Sequence, residues 1–580
     1  MNLTGRGRLV GRGRPSGRPF TLLLAWSIAL VPALLAGQSQ LSGGLDPAAL
    51  VKPLADDWPT YSGDYTGRRY SALKQVDRTT VKNLTLAWVS RLNGGFPATA
   101  GGGRGGAFGG GGNTIVGGVG SGEYTNTSVK GAILKVNDTL YVTSADHVWA
   151  VDARDGRELW HFAWRTRGAT HTGNRGVAIW HNYLFFETPD NYLVSLDART
   201  GQERWHVEVA SFEQQYFSTP APVVVGNHLI VGTGNDLDAP GFLQSFDPET
   251  GKRNWIFYTV PMNPGDPGLD TWPNLEAARH GGGQTWIPGV YDPDTRLYIF
   301  GTGNPTPGYT GVARAGDNLF TCSLIALDVD TGKMKWYFQT SAHDTHDWDS
   351  AQTPVLFDAV VNGRLRKLVS TASRNGYFYT LDRVTGEQLV TAKYGQHANW
   401  ARGLRPTGVV EPNPGKEATI PGSLVSPIEQ GVTNWPPAAY SPDTGLFYVQ
   451  EKNGYNIVYL TDPDPRGSMG LGGKTVAGVG SAGEFLDAID PTTGKTVWRH
   501  EFPSGIAGGG VGSGALVTAG GVLFFGDASG NFIGFDASTG KPLWHTRVGN
   551  ISNSPQTYTV DGKQHVLVAV GDTLYAFKIY

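Results

Sequence analysis

A single cysteine, Cys322, stands among 580 residues. No disulfide can therefore form within the chain, no Cys-x-x-Cys-His haem attachment site exists, and stability must come from packing. Charge is sparse as well, at 17% of residues. The only long apolar run, Phe20 to Ala36, follows Arg6, Arg8, Arg12, Arg14 and Arg18 and precedes small residues. This order predicts a secretory signal over residues 1–37, an exported and periplasmic protein, and a membrane tie only if the segment stays uncleaved. It has no twin-arginine pair, and no lipid-attachment cysteine follows it. Without its five arginines the formal net charge moves from −3 to −8, which removes any electrostatic reason to bind nucleic acid or a membrane surface.

What is abundant points elsewhere. With 82 glycines and 17 tryptophans, the composition argues for many short strands joined by tight turns rather than for helices. A mature length of about 540 residues exceeds one ordinary domain and leaves either several domains or one repeat architecture.

Against this background the run Ala342-His343-Asp344-Thr345-His346-Asp347-Trp348-Asp349-Ser350 crowds three carboxylates and two imidazoles into seven residues. Carboxylates so close repel, and a cation, a shared proton or a catalytic task would justify them. A solvated loop in which Asp and His cap turns is the alternative, and the cluster alone does not choose.

The repeat decides the architecture. Asp-x-x-x-Gly-x-x-x-Trp recurs at Asp152/Gly156/Trp160, Asp197/Gly201/Trp205, Asp247/Gly251/Trp255, Asp328/Gly332/Trp336, Asp490/Gly494/Trp498 and Asp536/Gly540/Trp544, and Asp382/Gly386 has Val390 in the Trp place. Alternating apolar runs flank each copy, so the Asp-to-Gly step reads as a turn between strands, capped by Asp, with Gly at positive φ. The ring then falls on the outer strand, where it can wedge between neighbouring sheets. Trp88, ending a strand, supplies an eighth position. The fold predicted is all-β, an eight-bladed propeller over residues 38–580. It carries a glycine-rich insertion at about 93–121, expected as a surface loop, and longer insertions in the intervals Asp247 to Asp328 and Asp382 to Asp490.

With these motifs the chain resembles the pyrroloquinoline quinone (PQQ)-dependent alcohol dehydrogenases, quinoprotein propellers of eight blades. Asp57-Trp58-Pro59-Thr60-Tyr61-Ser62-Gly63-Asp64 through Arg69-Tyr70-Ser71-Ala72-Leu73 resembles that family's first blade, and the repeat its tryptophan-docking motif. The resemblance implies PQQ and a Ca²⁺ or lanthanide ion as cofactors, a small alcohol as substrate, and an external electron acceptor such as a cytochrome c. Residue by residue it implies metal ligation by Asn304 (in Gly301-Thr302-Gly303-Asn304-Pro305), by Asp236 where relatives carry Glu, and by Asp347. It implies quinone contacts from Arg175, Thr219, Thr233, Gly234, Trp286, Arg374, Asn434 and Trp435. Asp347 matches the catalytic base, which takes the alcohol's proton as hydride passes to a quinone carbonyl polarised by the ion, and Arg374 matches the group that stabilises the developing oxyanion. Asp349 matches the additional ligand of lanthanide-using relatives. Sugar-oxidising relatives share the Asp-x-Asp spacing, so calcium stays open.

Two departures accompany the match. The family's adjacent cysteines over the quinone would fall at Ala169-Thr170, beside His171, and Lys130 stands where relatives often carry Glu. A sugar or polyol dehydrogenase, and a non-catalytic envelope scaffold with the same repeats, are the competing readings.

Overall fold

The computed structural model describes residues 44–92, 114–122, 124, 128–461, 472–503 and 512–580. The expected signal, residues 1–37, and most of the glycine-rich segment, residues 93–113, lie outside them.

Among the described residues eight blade sheets, each with an antiparallel core, follow one another along the chain, besides a small two-stranded sheet. Blade 1 runs from Leu134–Val136 to Glu158–Arg165, blade 2 from Ala178–Trp180 to Glu203–Glu208, blade 3 from Val223–Val225 to Arg253–Tyr258 and blade 4 from Val290–Asp292 to Met334–Gln339. Blade 5 spans Val355–Val361 to Gln388–Lys393, blade 6 Ala439–Ser441 to Lys495–Phe502, and blade 7 Leu516–Thr518 to Pro542–Arg547. Blade 8 closes the ring. Its three C-terminal strands, Gln556–Val560, Lys563–Val570 and Thr573–Lys578, take their outer strand from the other end of the chain, Thr85–Arg91. Trp88 therefore sits inside that closing strand rather than at its end.

The repeat acts as anticipated. In all seven copies the Gly N–H donates to the Asp carbonyl, at 2.7–2.9 Å, and each of these glycines has positive φ. Glycine is required twice over, because a Cβ on Gly201 would lie 2.6 Å from the Trp160 ring of the preceding blade. The same ring donates its Nε1–H to Ala198 O at 3.1 Å; Trp336 repeats the contact with Arg383 O at 3.1 Å and Trp498 with Ala537 O at 3.2 Å. Val390 cannot donate, and its dock on Gly494 is filled by Val390 and Ala392 side chains. One expectation needs correcting. The end of the glycine-rich insertion is not loop, since Thr114–Gly118 forms a fifth strand parallel to Glu158–Arg165. Glycine's low strand propensity is outweighed there by main-chain pairing.

Residues 56–71 thread the inner strands of the ring. Thr559 N donates to Asp56 O, Trp58 pairs with Lys135, the Tyr65 hydroxyl donates to Val224 O, and Tyr291 N, Leu356 N, Tyr440 N and Val517 N donate to Tyr65, Thr66, Arg68 and Arg69 carbonyls. Seven of the eight blades are tied to this one segment. Arg69 is its anchor: buried, at φ +47°, it stacks over Trp58 and donates to Ala515 O at 2.8 Å, Pro555 O at 2.5 Å and Tyr61 O at 3.3 Å. Arg69→Met keeps much of the volume but strands three buried carbonyls. It is expected to cost on the order of 3–5 kcal/mol, read as a lowered urea midpoint.

Candidate active site

Loops from the blades converge on a cavity of about 460 Å³. Its wall includes Arg175, Thr219, Gly234, Asp236, Trp286, Asn304, Asp347, Asp349, Arg374, Asn434 and Trp435, eleven of the twelve residues the sequence singled out. Thr233 is the exception: it lies buried behind the wall, its N–H donating to the Thr285 hydroxyl.

The Asp347 loop is built by alternation. Trp348 is fully buried, donates to Ile428 O at 3.1 Å, and is stacked by His346 at 4.4 Å and met edge-on by Trp400 at 5.1 Å. Its two neighbours, Asp347 and Asp349, consequently both reach the cavity. Asp344 caps the turn by accepting from His346 N and Trp348 N. Asp347 takes φ +65°, a backbone state that Asp tolerates better than most residues and that is enriched at functional positions.

Arg374 holds the pair. Its Nη1 donates to Asp349 Oδ2 at 2.6 Å, and its Nη2 lies 3.5 Å from Asp347 Oδ2 and donates to Glu429 O at 2.9 Å. Asp349 is further fixed by Asn304 N at 2.6 Å and by Trp286 Nε1 at 3.1 Å. Burial pushes the Asp347 carboxyl well above the usual range, with Arg374 opposing; burial also raises Asp349, against Arg374 and the Asn304 N–H. Burial acts to lower the Arg374 guanidinium, but Asp349 and Asp347 outweigh it and the net shift is upward.

The same cavity also holds cationic groups, Arg175 and Lys130. Burial lowers Arg175 to about 10 and also lowers Lys130, helped by Arg175 itself. Neither forms an ion pair among the described residues. The Arg175 guanidinium lies over Trp286 at 4.7 Å and Trp435 at 5.5 Å. Arg175 Nε, Thr219 Oγ1, Thr233 Oγ1 and Gln284 Oε1 are buried without a hydrogen-bond partner. Arg175, Thr219 and Gln284 line the cavity, where a ligand with polar edges would satisfy these atoms.

His171, beside the Ala169-Thr170 position, bonds through Nε2 to Asp236 Oδ2, which raises the imidazole's pKa, and packs on Phe217 at 4.8 Å. Gly234 is obligatory, since a Cβ there would overlap the Phe217 ring. Sequence reasoning missed Gln284, Glu429 and Gln430, which also line the cavity. No motif surrounds Glu429. Its only signal is the long Asp382-to-Asp490 interval, which must hold an insertion.

No three His, Cys, Asp or Glu side chains among the described residues form a ready metal cage. The oxygen donors Asp236, Asp347, Asp349 and the Asn304 amide nevertheless share one wall system, and an all-oxygen set suits a hard cation.

Comparison with known proteins agrees with this chemistry. The family profile described as "Glucose/ethanol/alcohol dehydrogenase, beta-propeller domain" matches residues 58–396, and that of "Outer membrane protein assembly factor BamB" matches residues 482–579. The quinoprotein alcohol dehydrogenase PedH of Pseudomonas putida is 33% identical, over 95% of this chain and 92% of its own. A quinohemoprotein alcohol dehydrogenase of Comamonas testosteroni is 32% identical, over 89% of this chain and 72% of its own. Among solved structures, the quinohemoprotein alcohol dehydrogenase ADHIIG of Pseudomonas putida superposes with a TM-score of 0.78 at 28% identity, covering 92% of this chain and 82% of that one. A europium-containing methanol dehydrogenase superposes at 0.77 and 26% identity, covering 92% and 99%.

Proposed function

The chain belongs to the PQQ-dependent alcohol dehydrogenase family, and from that premise we propose that it oxidises a primary or secondary alcohol to the aldehyde or ketone, with Asp347 as base. The observation that carries this reading is the convergence on one cavity, from separate blades, of oxygen donors including Asp347 with the cationic Arg175 and Lys130.

The residues fit the quinone. Arg175 and Lys130 offer positive charge for its carboxylates, Trp286 and Trp435 offer aromatic surface, and the cavity-lining Thr219 and Gln284 hold orphaned polar atoms. Asp236, Asn304, Asp347 and Asp349 fit a Ca²⁺ or lanthanide ion, and the likeness to a europium-containing methanol dehydrogenase supports the latter. When bound, the quinone accepts the hydride and the ion polarises it. Within the protein, Asp347 accepts the hydroxyl proton at Oδ2, beside Arg374 Nη2. Arg374 offers hydrogen bonds to negative charge developing at the reacting oxygen, held in register by Asp349. The buried Phe217 ring and the half-buried Trp286 border the cavity and restrict water there.

Electrons leave to an external acceptor such as a cytochrome c, a reading supported by the name of a related protein, "Lupanine 17-hydroxylase [cytochrome c]". The first 37 residues act as a secretory signal, and residues 38–580 work as the mature propeller in the periplasm. Purified protein given PQQ with Ca²⁺ or La³⁺ is expected to acquire the quinone's absorbance and reduce a dye with alcohols but not without them. Failure under every metal would favour a scaffold role.

A further inference from the structure

Glu429 lines the same cavity as Asp347 and Arg374 but has no part in the chemistry above. It is held from both ends. Its main-chain carbonyl accepts from Arg374 Nη2 at 2.9 Å, and its carboxylate Oε2 accepts from the Thr475 hydroxyl at 2.6 Å. Thr475 belongs to Gly473–Asp490, whose pairing with Leu446–Leu460 extends blade 6 beyond the usual strand length. The buried Tyr309 ring lies under Gly473, and the Glu429 carboxylate is among the charges that act on its hydroxyl. Burial, then the charges of Asp347 and Glu429, push that hydroxyl far above its ordinary pKa, so it stays a neutral donor.

Charge bookkeeping leaves Glu429 over. Arg374 is already committed to Asp349 and Asp347, and Glu429 makes no ion pair of its own among the described residues. The Thr475 hydroxyl occupies part of the carboxylate's acceptor capacity, which comprises about four lone-pair sites. A half-buried carboxylate fixed in position, with acceptor capacity left and no counter-ion, is complementary to a hydrogen-bond donor that arrives with the ligand.

We propose that Glu429 is a specificity determinant that recognises a second donor on the substrate, so that the favoured alcohols carry a hydroxyl or an ammonium group away from the reacting carbinol. This rests on the alcohol-oxidising reading and deepens it. Hydroxyl and ammonium share the donor chemistry, and a substitution that keeps hydrogen bonding while removing charge separates them.

The test compares kcat/KM of the quinone- and metal-loaded enzyme for n-butanol, its terminal diol and its terminal amino alcohol. Wild type, Glu429→Gln and Glu429→Leu are each checked for quinone binding by tryptophan fluorescence. Wild type is expected to prefer at least one donor-bearing alcohol. In Glu429→Leu the ratio of that alcohol to n-butanol should fall about ten- to a hundredfold, mainly through KM. Glu429→Gln should keep most of a preference for the diol but lose a preference for the amino alcohol. A wild type indifferent to the second donor, or a Leu variant that changes all three alcohols by one factor, overturns the assignment. If the loaded wild type turns over none of the three, the alcohol dehydrogenase reading itself fails.

Discussion

Asp347→Asn is expected to reduce dye-linked alcohol oxidation by about a hundred- to ten-thousandfold, while the apparent affinity for quinone changes by only a few fold. Asn keeps the volume, and its amide oxygen can still face Arg374 Nη2, which sits 3.5 Å from Asp347 Oδ2. What it cannot do is take up a proton. The cavity wall stays intact because Trp348, not Asp347, anchors the loop, through its bond to Ile428 O and its ring contacts with His346 and Trp400. Paired measurements of turnover and quinone titration check the claim. Unchanged turnover would remove Asp347 from the chemistry, whereas parallel loss of quinone binding would make it a structural residue.

Asp349→Ala carries the second large effect, and it falls on the metal. Asp349 is held by Arg374, Trp286 and Asn304 together, so it either supplies an oxygen to the ion or orients the groups that surround one. Removing it takes one negative charge from the oxygen wall and frees Arg374 from its shortest partner. A trivalent ion depends more on ligand charge than a divalent one does. La³⁺ affinity should therefore fall by at least about ten- to a hundredfold, with Ca²⁺ affinity falling less. Chelator competition on the two metal-loaded forms measures this. Equal losses for both ions would mean that Asp349 acts only by positioning Arg374.

These residues were unequally legible. The blades could be read because each repeat writes three local constraints into sequence: an Asp that caps, a Gly that must have positive φ and no Cβ, and a Trp that fills the gap left by that missing atom. Gly201 and Trp160 show how tightly the three are coupled across blades. The threading of residues 56–71 was not legible, because Arg69 is satisfied by carbonyls of Ala515 and Pro555, 446 and 486 positions away, and main-chain acceptors leave no residue pattern. Nor was the strand Thr114–Gly118, whose pairing is main-chain only in origin.

At the site, the crowding of acids and imidazoles over residues 343–349 drew attention to the loop, but the choice of Asp347 and Asp349 within it came from the resemblance. The resemblance supplied Arg175, Trp286, Asn304 and Arg374. Glu429 and Tyr309 escaped both routes. An insertion brings Glu429 to the cavity, and Tyr309 packs beneath Gly473; neither leaves a periodic or motif signature. His346, to which no motif gives a role, stacks on Trp348.

Crystals of the protein loaded with quinone and La³⁺, with the anomalous signal of the ion recorded, test the central claim most directly. One peak is predicted in the cavity, with oxygens of Asp236, Asn304, Asp347 and Asp349 converging on it at about 2.3–2.6 Å and the quinone bound in the same cavity. A peak elsewhere, or carboxylates that remain turned away from a bound ion in an active enzyme, would contradict it.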